Sequence, residues 1–289
     1  MTTHSYKLLD AGDGEKLEQL GPYVIIRPEP RALWQKTLPD SDWRQADAMY
    51  KRSASGGGKW VFQNNIPAEL MVTLQDITFI ASLTGFKHIG FFPEQAVQWS
   101  FIQEKVSSFK LQAISTPFRL LNLFAYTGGA TLAAAQAGAE VVHVDAAKDI
   151  VTWARENAEL NSLGDKPIRW IEDDALKFVK REVNRGREYE GIVLDPPSFG
   201  RGASGQVWKL EDDLYSLLQN CNKLLSPNAR FLVVNCYATE IPPKTVENML
   251  RQILKVANRF GKISSGFHSL VQESNGFELQ TGYFVKWEA

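Results

Sequence analysis

Residues 120–145, LLNLFAYTGGATLAAAQAGAEVVHVD, decide the fold. An apolar run ends in a glycine-bearing turn, an alanine-rich segment of helix length follows, and a second apolar run closes on an acid. Strand, turn, helix and strand in this order form the repeating unit of a doubly wound parallel sheet. Outward from this unit the alternation continues. Strand-like runs occupy 119–124, 140–145, 168–171, 191–195 and 230–235, with helices at about 129–138, 148–161, 174–186 and 210–224. A helix near 243–260 and closing strands near 263–271 and 279–287 complete the pattern. The reading is an α/β, Rossmann-like domain with a mostly parallel seven-stranded sheet over residues 111–289, preceded at 1–110 by a small, mainly β appendage.

In that appendage, residues 1–66 crowd turn signals (AGDG, RPEP, LPDSD, SASGGGK) and predict short strands and loops. YVII at 23–26 and WVF at 60–62 read as strands, and DWRQADAMYKR as one helix beginning at Ser41 or Asp42. The run from Ser53 to Lys59 is a loop; no helix follows it, so it is not a phosphate loop. Between Glu69 and Phe92 alternation predicts a small antiparallel sheet, followed by a short helix from Pro93 to Ser107.

Charge narrows the function. With 32 basic and 33 acidic side chains in 289 residues, the net charge is −1, so any nucleic-acid surface is a local patch. Two cysteines, Cys221 and Cys236, and four scattered histidines exclude a disulfide framework and predict no metal site. No run approaches the ~20 apolar residues that cross a bilayer, and no leader pattern opens the chain, which predicts no membrane partner and a cytoplasmic location.

The chemistry gathers at the strand ends. The turn Phe124, Ala125, Tyr126, Thr127, Gly128, Gly129 lets backbone N–H groups approach a ligand, and Asp145 and Ala146 at the next strand end offer a carboxylate to ribose hydroxyls. Gly128 and Gly129 can equally serve close helix packing. The third strand runs into Asp173, Asp174 and Ala175, where an acid can accept from an adenine amine or cap the following helix. The fourth ends in Asp195, Pro196, Pro197, Ser198, Phe199, two prolines fixing the backbone where ligands enter an open α/β sheet. The first turn reads AYTGGA rather than G-x-G-x-x-G, so the pyrophosphate cradle of a nicotinamide enzyme is missing. S-adenosylmethionine, a nucleoside without phosphate, suits these acids better.

Taken together, FAYTGGATLAAAQAGAEVVHVDAAKDIVTWARENAELN, the DPPSF turn and the upstream GFKHIGFFPEQ resemble the bacterial large-subunit ribosomal RNA methyltransferases of the cytosine carbon-5 type, over about Glu69 to Trp287. The resemblance implies an S-adenosylmethionine-dependent enzyme acting on ribosomal RNA. Members often carry an N-terminal RNA-binding domain of the PUA type, and residues 1–66 offer no match to one. The family's nucleophilic cysteine follows its fifth core strand, which matches Cys236. Lys87, Phe91 and Gln95 match a segment over the methionine end of the cofactor, although this chain has Ala96 where the family often has Arg; a hairpin with a buried Phe91 or Phe92 is the alternative. Asp195 would hold the pyrimidine edge and Phe199 would stack on the base, beside Pro196 and Pro197.

Two other functions fit the same residues. The turn also resembles the Asp/Asn-Pro-Pro-aromatic turn of amino methyltransferases, which implies N-methylation of a base or amine with Cys236 a bystander. A catalytically silent cofactor-binding protein would keep the pocket alone. The cations Lys177, Lys180, Arg181, Arg185 and Arg187 read as a solvated helix face diluted by acids. The loop Gly200–Lys209, with two cations and an aromatic, is the better RNA-contact segment.

Overall fold

The computed structural model describes residues 4–53, 57–85, 87–112, 116–201, 207–237 and 239–289. The chain forms two compact units, Met1–Ala96 with Ser269–Thr281, and Val97–His268 with Gly282–Ala289.

The first unit holds β1 (His4–Gly12), β2 (Glu15–Leu20), β3 (Tyr23–Pro28), α1 (Asp40–Arg44), β4 (Ala48–Arg52), β5 (Gly58–Phe62), β6 (Leu70–Leu74) and β7 (Ile77–Ala81). These strands form one sheet in the order β5-β4-β3-β2-β1-β6-β7. Neighbours pair antiparallel except β1 with β6 and β3 with β4, which are parallel. Three expectations need correcting here. The predicted helix over DWRQADAMYKR stops at Arg44, and AMYKR is β4, because Ala48 and Tyr50 are buried by pairing with β5. The small antiparallel sheet is the β6–β7 hairpin of the larger mixed sheet, with no strand among the described residues from Ser82 to Phe92. Of the glycine-rich loop, residues 54–56 lie outside the described residues, and Gly58 and Lys59 already belong to β5.

Polar groups are built into this unit. Glu18 is fully buried on β2; it receives Arg27 at 2.5 and 2.6 Å and the Tyr6 hydroxyl at 2.8 Å, with Lys16 at 3.2 Å. Burial alone would raise its pKa, but the two cations outweigh burial and hold it at about 2. Asp10 accepts from the backbone of Thr37 and Leu38 and from Ser274. The tip of the closing hairpin is thereby fastened to β1, as it is by Glu273 N–H to the Leu8 carbonyl (2.9 Å) and Ala11 N–H to Gln272 (2.8 Å).

The second unit follows with α2 (Ala96–Leu111), β8 (Arg119–Leu123), α3 (Gly129–Gln136), β9 (Glu140–Asp145), α4 (Lys148–Leu160), β10 (Ile168–Glu172), α5 (Ala175–Asn184) and β11 (Gly191–Leu194). Then come the short β12 (Phe199–Arg201) and β13 (Val207–Lys209), α6 (Leu210–Leu224), β14 (Phe231–Tyr237), α7 (Pro243–Val256), β15 (Lys262–Val271) and β16 (Glu278–Glu288). The main sheet runs β10-β9-β8-β11-β14-β16-β15, parallel from β10 to β14, with β16 antiparallel to β14. This is the predicted doubly wound, mostly parallel seven-stranded sheet. Its central strands β8 and β11 are buried along nearly their whole length because helices cover both faces. One face is closed by the stripe Leu210, Leu214, Leu217, Leu218, Cys221 and Leu224 on α6 and by Val246, Leu250, Ile253 and Leu254 on α7.

The expected boundary after residue 110 falls at Ala96 instead. Helix α2 belongs to the second unit, since Phe109 meets Phe118 edge-on at 5.2 Å, Gln103 bonds Gln136 and Lys105 pairs with Glu288.

Candidate functional site

The sheet order reverses beside β8, and the predicted residues gather at the carboxyl ends of β8, β9, β10 and β11. After Leu123 the chain turns sharply: Phe124, Tyr126 and Gly128 have φ of +55°, +49° and +98°. Left-handed backbone at two bulky residues is costly and persists only where surrounding contacts impose it. Here Ala125 N–H binds the Val144 carbonyl (3.1 Å) and Tyr126 N–H binds Asp145 Oδ2 (3.0 Å). Gly128 is the left-handed cap from which α3 starts. Gly129 is required for another reason, because a Cβ there would lie 2.6 Å from the Trp99 ring.

Asp145 is thus fixed from two sides, Oδ2 accepting from Tyr126 and Oδ1 from Ala147 N–H at 3.1 Å. Each carboxylate oxygen keeps a second lone pair, so the pair of oxygens suits two ribose hydroxyls. Burial raises its pKa, opposed by the backbone N–H groups of Ala147, Tyr126 and Ala146. Ala146 itself is exposed. This donor set fits a nucleoside cofactor, with the strained turn to cradle it.

Under the turn lies a buried chain that the sequence reading missed. Asn122 donates to Thr131 at 3.0 Å, Thr131 meets His143 Nδ1 at 2.9 Å, and Asn157 donates to the Thr127 carbonyl at 3.0 Å. Burial, with Arg155, pushes His143 down to about 3, so the ring is neutral. The signal was a single polar residue inside the apolar run EVVHVD.

Asp173 and Asp174 arrive beside Asp145, joined by Asp173 N–H to the Asp145 carbonyl at 3.0 Å. Both also serve α5: Asp174 caps it through Lys177 N–H at 2.8 Å, and Asp173 pairs with Arg181. Ala175 is buried under the first turn of α5. The basic side chains from Lys177 to Arg187 are exposed, as expected of a solvated helix face.

At the end of β11, Asp195 N–H binds the Leu123 carbonyl at 3.2 Å, which seats the DPPSF turn directly beside the turn that follows β8. Pro196 is buried, Pro197 exposed, and Phe199 is 52% exposed. Residues 199–201 and 207–209 then pair as a hairpin; residues 202–206 of the expected RNA-contact loop lie outside the described residues. The aromatic of that loop, Trp208, is not free to stack on a base. It is 8% exposed, its indole N–H donates to the Pro197 carbonyl at 2.6 Å, and it lies against Phe124.

Cys236 lies within β14, not after it, and alternates with Leu232 and Val234 onto the face covered by α6 and α7. It is fully buried, and burial pushes its thiol up to about 11 although Tyr283 opposes the shift and Asp195 adds to it. Cys221 is a packing residue of α6. Lys87, Phe91 and Gln95 belong to the first unit. There Phe91 is buried, stacked on Phe79 at 5.1 Å and edge-on to Tyr6, while the Lys87 carbonyl accepts from Arg27 and Gln95 ends a short 3-10 turn.

Strand order defines a Rossmann-like α/β fold, and the strand-end acids form its candidate nucleoside site. The family model described as S-adenosylmethionine-dependent methyltransferase matches residues 82–256, and the chain belongs to this family. S-adenosylmethionine is therefore its cofactor and methyl transfer its reaction. The chain is 39% identical to the SAM-dependent methyltransferase from Agrobacterium tumefaciens, with a TM-score of 0.90 over 99% of this chain and 92% of that one. It is 32% identical over 252 residues to the ribosomal RNA large subunit methyltransferase K/L of Shewanella oneidensis, covering 80% of this chain and 34% of the relative. The K/L protein of Shewanella sp. (strain MR-4) is 31% identical over 170 residues, 58% of this chain and 23% of that relative. The chain thus spans a third or less of the curated relatives' length.

Proposed function

We propose that the protein methylates a nucleobase of large-subunit ribosomal RNA, transferring the methyl group directly to a nitrogen held at the DPPSF turn. The observation that carries this is the bond from Asp195 N–H to the Leu123 carbonyl, which seats an acceptor-binding turn against the cofactor turn with Phe199 exposed beside it. When bound, S-adenosylmethionine supplies an electrophilic methyl group; the work left to the chain is alignment. Asp195 and the Pro196 carbonyl hold the N–H groups of the acceptor so that the nitrogen lone pair points at the methyl carbon. The carbon–sulfur bond breaks as the nitrogen–carbon bond forms, and the displaced proton passes through Asp195 to solvent. Phe199 stacks on the base. The names of the relatives support RNA as the substrate.

Cytosine carbon-5 methylation through Cys236 is the second reading, favoured by the place of Cys236 near the carboxyl end of β14, the strand paired with β11, after which Asp195 stands. Against it stand the buried, core-facing side chain and the raised pKa, since the thiolate is the nucleophile. The test is labelled methyl transfer to total RNA from a strain lacking the gene, followed by nucleoside mass spectrometry. An N-methylated base, made equally by Cys236→Ala and made about 100-fold more slowly or worse by Asp195→Ala, is the expected result. 5-Methylcytidine, lost in Cys236→Ala, would install the second reading. Label absent from RNA overturns the RNA assignment altogether.

A further inference from the structure

Two prolines give the acceptor turn a peculiar weakness. Neither Pro196 nor Pro197 has an N–H, so the middle of the turn can be fastened only through its carbonyls. The Pro197 carbonyl is taken by Trp208, whose indole N–H lies 2.6 Å away. The same indole rests against Phe124, ring centres 5.2 Å apart, and Phe124 is the left-handed residue that opens the cofactor turn. One side chain therefore touches both turns between which the methyl group travels.

Trp208 also fixes what is presented to the acceptor. It is the inward-facing residue of β13, between the exposed Val207 and Lys209. In the β12–β13 register Phe199 stands opposite Lys209 and Gly200 opposite Trp208. Alternation along the two strands puts Phe199, Val207 and Lys209 on one open face, an aromatic, an aliphatic and a cation. That face is suited to a base and its phosphate in an unpaired strand. Trp208, seated with Leu210 and Leu214 in the core, ties this face to the sheet.

We propose that Trp208 is a positioning residue that couples the cofactor turn to the acceptor turn, so that seating of S-adenosylmethionine against Phe124 orders the Pro197 carbonyl and the hairpin that carries Phe199. The proposal rests on the reading of DPPSF as the acceptor turn, and on family membership for the cofactor.

The test is Trp208→Phe, which keeps an aromatic ring against Phe124 and removes the N–H. Turnover should fall about tenfold, the scale of one lost part-buried hydrogen bond, while the KM for acceptor and the affinity for S-adenosylmethionine stay within about twofold. Phe199→Ala should do the reverse, raising the acceptor KM more than it lowers turnover. Rates are compared on whichever fraction of a deletion-strain extract, RNA or protein, the unmutated enzyme labels, so failure of the RNA assignment shows as label outside RNA and leaves the Trp208 comparison intact. A measurement that needs no acceptor runs beside it. By hydrogen exchange, added S-adenosylmethionine should slow the amides of residues 199–201 and 207–210 in the unmutated protein, and this slowing should be lost in Trp208→Phe. Unchanged turnover with the slowing retained would overturn the proposal, as would a loss of turnover matched by equal losses of cofactor affinity and thermal stability.

Discussion

In the first unit, Glu18, Arg27, Tyr6 and Lys16 form a charged network inside a sheet; in the second, Asn122, Thr131 and His143 form a buried chain that carries no charge, beneath the cofactor turn. Both pair buried polar groups, although His143 Nε2 finds no partner among the described residues, and they do so at different cost. Burying ions is tolerated only when every partner is present, so the first network is strong while whole and severe when broken. The second lies under the turn proposed to receive a cofactor bearing a positive sulfonium. A neutral histidine there adds no opposing charge and leaves Asp145 as the dominant one.

Breaking the charged network gives the largest effect. Arg27→Met strands Glu18 and should cost about 3–5 kcal/mol in denaturant unfolding, with much of the loss recovered when Glu18→Leu is added. If the single variant cost less than 1 kcal/mol, the network would be no stronger than a surface pair. Acid gives the same test without mutation. Glu18 is held at about 2, below its unfolded value of about 4.3, so its contribution is complete above that value and is lost as pH falls through about 2.

Next in size is Asp145→Ala, which removes the carboxylate expected to receive the ribose hydroxyls. Calorimetry should show S-adenosylmethionine binding weakened by about 1.5–3 kcal/mol. Unchanged affinity in a folded variant would transfer the ribose role to another acid.

The neutral chain should respond least. His143→Gln trades one buried hydrogen bond for another and should cost about 1 kcal/mol at pH 7. Its pH signature is sharper. His143 is held at about 3, below the unfolded value of about 6.5, so in that interval the unfolded state binds more protons and stability falls as pH drops. His88 in the first unit, lowered to about 4, acts in the same direction. Hydrogen exchange of β9 amides between pH 6.5 and 4 should therefore show a shallower slope in His143→Gln, and an unchanged slope would mean that His143 does not drive it.

These networks also explain what could be read in the sequence. The strands of the second unit stood out because parallel strands buried on both faces are continuous apolar runs, and the helices carried four-residue stripes; predicted and observed ends differ by only a few residues. In the first unit, HSYKLLDAG and EKLEQL lay in a stretch expected to hold short strands and loops and were not singled out as strands, since Asp10, Lys16 and Glu18 find their partners only in the folded sheet. Binary pattern does not reveal a buried charge whose counter-ion is brought to it by strand pairing. At the site, Asp145 and the DPPSF turn were legible because acids and prolines at strand ends have few structural reasons to be there. Trp208 was legible only as an aromatic in a loop, since its partners Pro197 and Phe124 come from two other turns.

The closing hairpin has a consequence for synthesis. Residues 269–281 complete the first unit, and Gln272, Glu273 and Ser274 bind the backbone or side chains of residues 8–11. A chain that emerges amino end first must therefore carry β1 with these partners still unmade while residues 97–268 of the second unit are translated. Order of birth and order of completion are inverted: the part made first is finished nearly last, and a protein cut short before Gln272 would lack β16 as well, leaving the first unit without its closing residues and the main sheet with only its five parallel strands β10-β9-β8-β11-β14.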